Sequence, residues 1–297
     1  MVFLVVGACG FIGSQFTEYA REKGHTVIGC DVLPRNERVE ALFPNENEYW
    51  CTTEDDSFLS RCGHVDCMVL LAAKRPYKDF CFADYSFNVE IANKFMTLAM
   101  EHEIPNVVFA SSKAVYSEGE LPWKEDVVNK PSSLYGASKV AVEQLGLYYA
   151  HLGKMSFKAL RFAQVIGAGE RKGYLINTLI DNAIAKKTQT IYGDGSQCRH
   201  YVYVKDICAA ILTAGEKQGI SGVYNIGMKK SITNLELAEA VNRAFDNEGN
   251  LTHDYSLTMA TNNDEMDTSK ALEELGFKAG YEVYETMVDL AQSMKNE

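Results

Sequence analysis

Val2-Phe-Leu-Val-Val-Gly-Ala-Cys-Gly-Phe-Ile-Gly13 is a short apolar run that enters three glycines spaced by three and leads into the helix-like segment Ser14–Lys23. Strand, glycine turn and helix in that order are the context a dinucleotide fingerprint requires. Small residues let the backbone approach a pyrophosphate, and the amides that open the helix supply positive potential to hold it. The spacing Gly7-x-x-Gly10-x-x-Gly13 differs from the commoner Gly-x-Gly-x-x-Gly, so a tight turn without ligand is the competing reading. A second run, Thr26-Val-Ile-Gly-Cys30, ends in Asp31, eighteen residues past Gly13. A carboxylate there can accept a hydrogen bond from an adenosine ribose 2′-OH and repels a 2′-phosphate, which favours NAD over NADP. Arg35 and Arg38 act against that preference, and a turn residue before Pro34 is the alternative reading of Asp31.

Outward from this turn, Ser133-Leu-Tyr-Gly-Ala-Ser-Lys139 places Tyr135 and Lys139 four residues apart, on one face of a helix. A phenol beside an ammonium has its ionised form favoured. The pair is therefore expected to transfer protons near neutral pH, which a free tyrosine with a pKa of about 10 does poorly.

Taken together, these pieces resemble the extended short-chain dehydrogenase/reductase family, and within it the NAD-dependent nucleotide-sugar epimerase/dehydratase group. The resemblance spans nearly the whole chain: the glycine turn, Asp31, Leu70-Leu-Ala-Ala73, Asn88, Ala110-Ser-Ser-Lys-Ala-Val-Tyr116 and Tyr135/Lys139, then Leu160-Arg-Phe-Ala-Gln-Val-Ile-Gly167, Tyr192-Gly-Asp-Gly195, Arg199-His-Tyr-Val-Tyr-Val-Lys-Asp206, Tyr224-Asn-Ile-Gly227 and Asp267-Thr-Ser-Lys270.

The 297 residues, 46% hydrophobic, suit one large α/β unit or two lobes. The net charge of −11 argues against a nucleic-acid or anionic-membrane partner. With no apolar run of transmembrane length and an N-terminus that enters a strand at once, a cytoplasmic protein is expected. Its eight cysteines, Cys51 and Cys62 among them, are scattered without metal-ligand spacing, so free thiols and no metal are expected. Strand-like runs at Val2–Val6, Val27–Cys30, Tyr49–Thr52, Cys67–Leu71, Val107–Ala110 and Phe157–Leu160 alternate with helices at Ser14–Lys23, Phe87–Glu101 and Leu134–His151. That alternation predicts an α/β, Rossmann-type doubly wound parallel sheet. The rhythm changes after Gly167, with helices at Tyr174–Lys186, Val204–Glu216 and Leu235–Phe245, the last opened by the capping box Thr233-Asn-Leu-Glu236. Ser269 is expected to cap a short helix Lys270–Leu275, stopped by Gly276. Residues 1–166, with 201–224 returning to them, form the expected NAD-binding domain. Residues 167–200 and 225–297 form a smaller C-terminal substrate-binding lobe.

The resemblance implies residue roles. Gly7, Gly10, Phe11, Ile12, Gly13, Asp31, Leu71, Ala72, Ala73, Asn88, Tyr135 and Lys139 would hold NAD. Ser112 would hydrogen-bond the reacting sugar oxygen, with Ser111 the competing assignment; Tyr135 would act as base and acid, and Lys139 would lower its pKa. Ser112, Lys113, Gln164 and Arg199 would bind a nucleotide sugar, Arg199 gripping the diphosphate unless it serves a salt bridge to Asp206. Lys113 and Ala114 stand where family dehydratases carry Asp-Glu, so dehydration is rejected; Lys113 itself reaches either substrate or solvent. The family's second phosphate arginine is missing from Ala260-Thr-Asn-Asn-Asp264. The resemblance thus implies a UDP-hexose 4-epimerase type of enzyme working through a 4-keto intermediate, and a homodimer. A one-way keto-sugar reductase or dehydrogenase, and a non-catalytic NAD sensor, are the alternatives. The six histidines do not cluster, and structural or surface roles are expected of them.

Overall fold

The protein is described by a computed structural model that covers all residues except 46–47, 52–62, 77–78, 118, 257–262 and 297. Seven parallel strands form the main sheet. The first six are β1 (Val2–Val6), β2 (Thr26–Asp31), β3 (Tyr49–Cys51), β4 (Cys67–Leu70), β5 (Asn106–Ser112) and β6 (Ser156–Phe162). Then follow β7 (Gln164–Ile166), β8 (Gln189–Tyr192), β9 (Cys198–Arg199), β10 (Tyr201–Tyr203) and β11 (Gly222–Ile226), and β11 closes the order β11-β6-β5-β4-β1-β2-β3. This is a doubly wound α/β sheet, as the alternation of runs predicts. Strands β1 and β4 are buried along nearly their whole length, which is why they read as continuous apolar runs. The expected end of β3 at Thr52 lies outside the described residues, as does Cys62.

Helices cover both faces. On one side, Phe16 and Ala20 of α1 (Phe11–Glu22) and Ile207, Ile211 and Ala214 from Val204–Glu216 pack against Phe3, Val5 and Val69. On the other, α2 being the short helix Glu37–Leu42, α3 (Phe82–Glu101) contributes Phe95 and Met96, and α4 (Leu134–His151) contributes Val142. Helix α3 starts five residues before the expected Phe87, because the Asp84 carboxylate accepts the Cys81 amide at 3.0 Å and caps an earlier turn. Strand β6 runs two residues beyond the expected Leu160, so Arg161 lies inside the sheet and is 1% exposed. Strand β11 carries the returning segment two residues past 224.

A third core, with Ile176, Leu179, Leu237, Val241, Met287 and Leu290, joins α5 (Leu175–Ile184), α6 (Val204–Glu216), α7 (Asn234–Ala244) and α8 (Val283–Asn296). The Thr233 box is formed: its hydroxyl accepts the Glu236 amide at 3.0 Å and the Glu236 carboxylate accepts the Thr233 amide at 2.7 Å. Ser269 does not cap the next short helix. Its amide instead donates to Asp267, while Gly276, at φ +77°, does end the turn Ala271–Leu275.

Candidate active site

The glycine turn at the end of β1 is closed by steric necessity. Gly7, at φ +91°, donates its amide to the Cys30 carbonyl at 2.7 Å, and a Cβ there would meet the Ala72 amide at 2.7 Å. A Cβ on Gly13 would lie 2.1 Å from the Gly7 carbonyl oxygen. Only hydrogen at both positions allows α1 to begin this close to the strand. Its first amides, which lack intrahelical partners, open on a cavity of about 460 Å³ lined by Gly7, Gly10, Phe11, Ile12, Gly13, Asp31, Leu71, Ala72 and Ala73. The Asp31 carboxylate stands on its wall and accepts the amides of Cys9 at 2.9 Å and Val32 at 2.8 Å, so it closes the turn and borders the cavity at once. Arg35 is turned away, onto the carbonyls of Phe43 and Pro44 at 3.2 and 3.3 Å. A mostly apolar slot, an amide-rich helix start and one carboxylate fit NAD.

Asn88 departs from its expected place. It does not line this cavity; it clamps the backbone of Lys74, accepting its amide at 2.7 Å and donating to its carbonyl at 3.0 Å. It shapes the loop after β4 from behind.

A second cavity, of about 350 Å³, shares Ile12, Leu71, Ala73 and Arg75 with the first and is lined by Ser112, Lys113, Tyr135, Lys139, Gln164 and Glu170. Helix α4 reaches it because Gly136 allows contact: a Cβ there would lie 2.0 Å from the Ala114 carbonyl. Ser133 caps the helix, its hydroxyl accepting the Gly136 amide at 3.1 Å. The two candidate serines part company. Successive strand residues face opposite ways. Ser111 donates to the buried Glu143 carboxylate at 2.5 Å, whereas Ser112 accepts the Ala114 amide at 3.2 Å and lines the cavity beside Tyr135. Beneath them, Arg161 holds Glu143 in a two-pronged pair at 2.9 and 2.7 Å, and also donates to Tyr116 at 2.7 Å.

Burial pushes the Tyr135 phenol above its ordinary value, and the cation that opposes this is Arg75, helped by Ser112. The Lys139 ammonium lies 5.5 Å from the Tyr135 ring centroid, donates to the Ala110 carbonyl at 2.6 Å and rests over the Phe109 ring, 4.6 Å from its centroid. Burial pulls Lys139 down to about 7, against the neighbouring Glu143 carboxylate.

A third cavity, of about 590 Å³, is reached past Lys113 and Gln164 and includes Arg199. Lys113 is not a solvated loop lysine. It donates to the Asp264 carboxylate at 2.7 Å, and burial lowers its pKa. Arg199 faces the same carboxylate at 3.8 Å. The expected Asp206 partner instead accepts the amides of Gly280 and Tyr281. Asp264 also takes the His200 amide at 2.6 Å, and the His200 ring bridges Met228 and Met266 inside the core. Residues 260–262 of the variant phosphate segment lie outside the described residues. Glu170, Asp264 and Glu143 were not singled out from sequence. Glu143 alone carried a signal, standing four residues beyond Lys139 on the same helix face.

The family model described as the NAD dependent epimerase/dehydratase family matches residues 3–227. A UDP-glucose 4-epimerase of Lactobacillus helveticus is 28% identical over 274 residues, covering 82% of this chain and 81% of its own. Among solved structures, a UDP-N-acetylglucosamine 4-epimerase from Bacillus cereus superposes with a TM-score of 0.86 at 27% identity, over 100% of this chain and 97% of that one. MoeE5, solved with UDP-glucose and NAD, gives 0.80 at 27% identity over 100% and 99%.

Proposed function

The chain belongs to the NAD dependent epimerase/dehydratase family, and from that premise we propose that it is an NAD-dependent 4-epimerase of a nucleotide-linked hexose. The observation that carries this reading is the meeting of Ser112, Tyr135 and Lys139 in a cavity that shares its wall with the glycine-turn slot. Bound NAD supplies reversible oxidation of the sugar carbon. The protein's part is positioning and proton handling. Tyr135 Oη takes the proton of the C4 hydroxyl as the ketone forms and returns it afterwards. Ser112 Oγ, fixed by the Ala114 amide, hydrogen-bonds the same sugar oxygen. Arg75 and Lys139 keep the site positive while Tyr135 is ionised. Glycines 7, 10 and 13 with Phe11, Ile12 and Leu71–Ala73 cradle the dinucleotide, and Asp31 takes the ribose hydroxyls. Lys113, Gln164 and Arg199 face the nucleotide diphosphate.

Residues 1–166 with 201–224 then act as the cofactor unit, and 167–200 with 225–297 as the substrate unit. Exposed Phe82, Leu134 and Tyr148 on α3 and α4 support a homodimer through those helices, which sedimentation equilibrium at twice the protomer mass would bear out. No helix among the described residues is long and apolar enough to cross a membrane, and Cys9, Cys30, Cys67, Cys81, Cys198 and Cys208 are free thiols, which supports a reducing, cytoplasmic setting.

The test is turnover without added nucleotide. Purified protein should release NAD on denaturation and interconvert UDP-glucose and UDP-galactose, or their N-acetyl analogues. Tyr135→Phe should lose roughly 10²- to 10⁴-fold in kcat while retaining NAD. Turnover that consumes NADH in step with product would reject the epimerase reading.

A further inference from the structure

Phe80 packs on the Tyr135 ring. The two ring centroids lie 5.8 Å apart with the planes at 86°, the edge-to-face arrangement that aromatic quadrupoles favour. The backbone that delivers Phe80 is held on both sides. After it, the Cys81 amide donates to the Asp84 carboxylate at 3.0 Å as α3 begins. Before it, the same carboxylate pairs with the Lys74 ammonium at 2.8 Å, and Asn88 clamps the Lys74 backbone. Asp84 and Asn88 stand four residues apart on α3, so one face of that helix anchors both ends. Around the phenol stand Arg75 of the same loop, Ser112 and Lys113 after β5, Lys139 one turn along α4, and Glu170 and Tyr174 after β7. Those groups act on the charge of Tyr135, whereas Phe80 acts on its place. A tyrosine oxygen lies on the ring axis, so χ1 decides where it goes, and a ring packed edge-on resists a change of χ1.

We propose that Phe80 is a positioning residue for proton transfer: its ring holds Tyr135 in the rotamer that presents Oη to the sugar hydroxyl and keeps water off the face it covers. The inference rests on the reading of Tyr135 as the proton-transfer group. Proton and hydride leave the same sugar carbon and its oxygen, so a displaced Oη spoils the alignment even when sugar and cofactor are bound. Burial also raises the Tyr135 phenol, and removing the Phe80 ring lets water in and lowers it.

The test uses NAD-loaded wild type, Phe80→Ala and Phe80→Tyr. Turnover of UDP-glucose is followed against pH. Independently of turnover, NMR of protein labelled with ¹³Cζ-tyrosine follows ionisation of Tyr135, whose signal is identified by its loss in Tyr135→Phe. Phe80→Ala should lose roughly 10- to 100-fold in kcat, up to the cost of a misplacement of about 1 Å, with KM and bound NAD little changed. Phe80→Tyr, which keeps the ring, should recover the rate. The Tyr135 carbon should titrate roughly one unit lower in Phe80→Ala, a fraction of the 3–5 units that full burial imposes, and the limb of kcat that rises with pH should move with it. A kcat that survives Phe80→Ala, an unmoved midpoint, or loss of NAD together with kcat overturns the proposal. A midpoint that depends on Phe80 in a wild type that interconverts no sugar sinks the epimerase reading and leaves the hold of Phe80 on the phenol standing. Interconversion that ignores Phe80 does the reverse.

Discussion

Replacing Glu143 by leucine removes the anion from beneath the site and leaves Arg161 charged in the sheet. Both side chains are inaccessible, at 0% and 1%, and the guanidinium would retain Tyr116 at 2.7 Å and a long contact to the Glu125 carbonyl at 3.4 Å. Breaking a buried pair by deleting one partner costs about 3–5 kcal/mol, and the Ser111 hydroxyl also loses its acceptor. At roughly 2–4 °C per kcal/mol for a large domain, the melting temperature should fall by about 6–20 °C. Urea unfolding followed by far-UV circular dichroism, with NAD removed, measures the loss. The double variant Glu143→Leu/Arg161→Met should recover most of it, because an apolar pair of similar volume needs no compensation. A single variant within about 1 kcal/mol of wild type, or a double variant no more stable than the single, would refute the assignment of an energetically coupled pair.

Other consequences are equally direct. Gly13→Ala forces a Cβ to within 2.1 Å of the Gly7 carbonyl, so α1 must retreat; NAD affinity by calorimetry should fall by roughly 5- to 150-fold, the equivalent of the 1–3 kcal/mol typical of overpacking. Asp264→Asn removes the charge that Lys113 and Arg199 share while keeping an acceptor for the His200 amide; UDP should bind about 3- to 10-fold more tightly, in line with a partly exposed pair worth near 1 kcal/mol. Lys139 is held at about 7, below its ordinary 10.5, so the unfolded chain binds more protons between those values and stability rises with pH across them. Lys158, pulled to about 8 by burial, adds to the upper part of that window. Between pH 7 and 8.5, below the range where buried Cys67 acts in the opposite direction, NAD-free Lys139→Met should show a shallower rise than wild type in urea unfolding; an identical slope would contradict the burial of that ammonium.

Some of the site was legible because it is local. The run Val2–Val6, the glycine turn and Asp31 follow from backbone geometry within some thirty residues, and the shared face of Tyr135 and Lys139 from helix periodicity. Two neighbouring serines, by contrast, look alike in sequence. Strand alternation says that they face opposite ways, but not which one meets Glu143, since that depends on where α4 settles over β5. The start of α3 was missed because Asp84 caps it through one hydrogen bond that no hydrophobic period reveals.

Residue order alone specifies a parallel α/β sheet, a tight glycine turn and a tyrosine and lysine on one helix face, because short-range sterics and periodicity set all three. The tertiary structure alone decided which charges act on those groups. Arg75 meets Glu170 across 95 residues and Lys113 meets Asp264 across 151, and burial raises the Tyr135 phenol against the pull of Arg75. Charge and desolvation depend on spatial neighbours, and those exist only once distant segments have closed around the cleft.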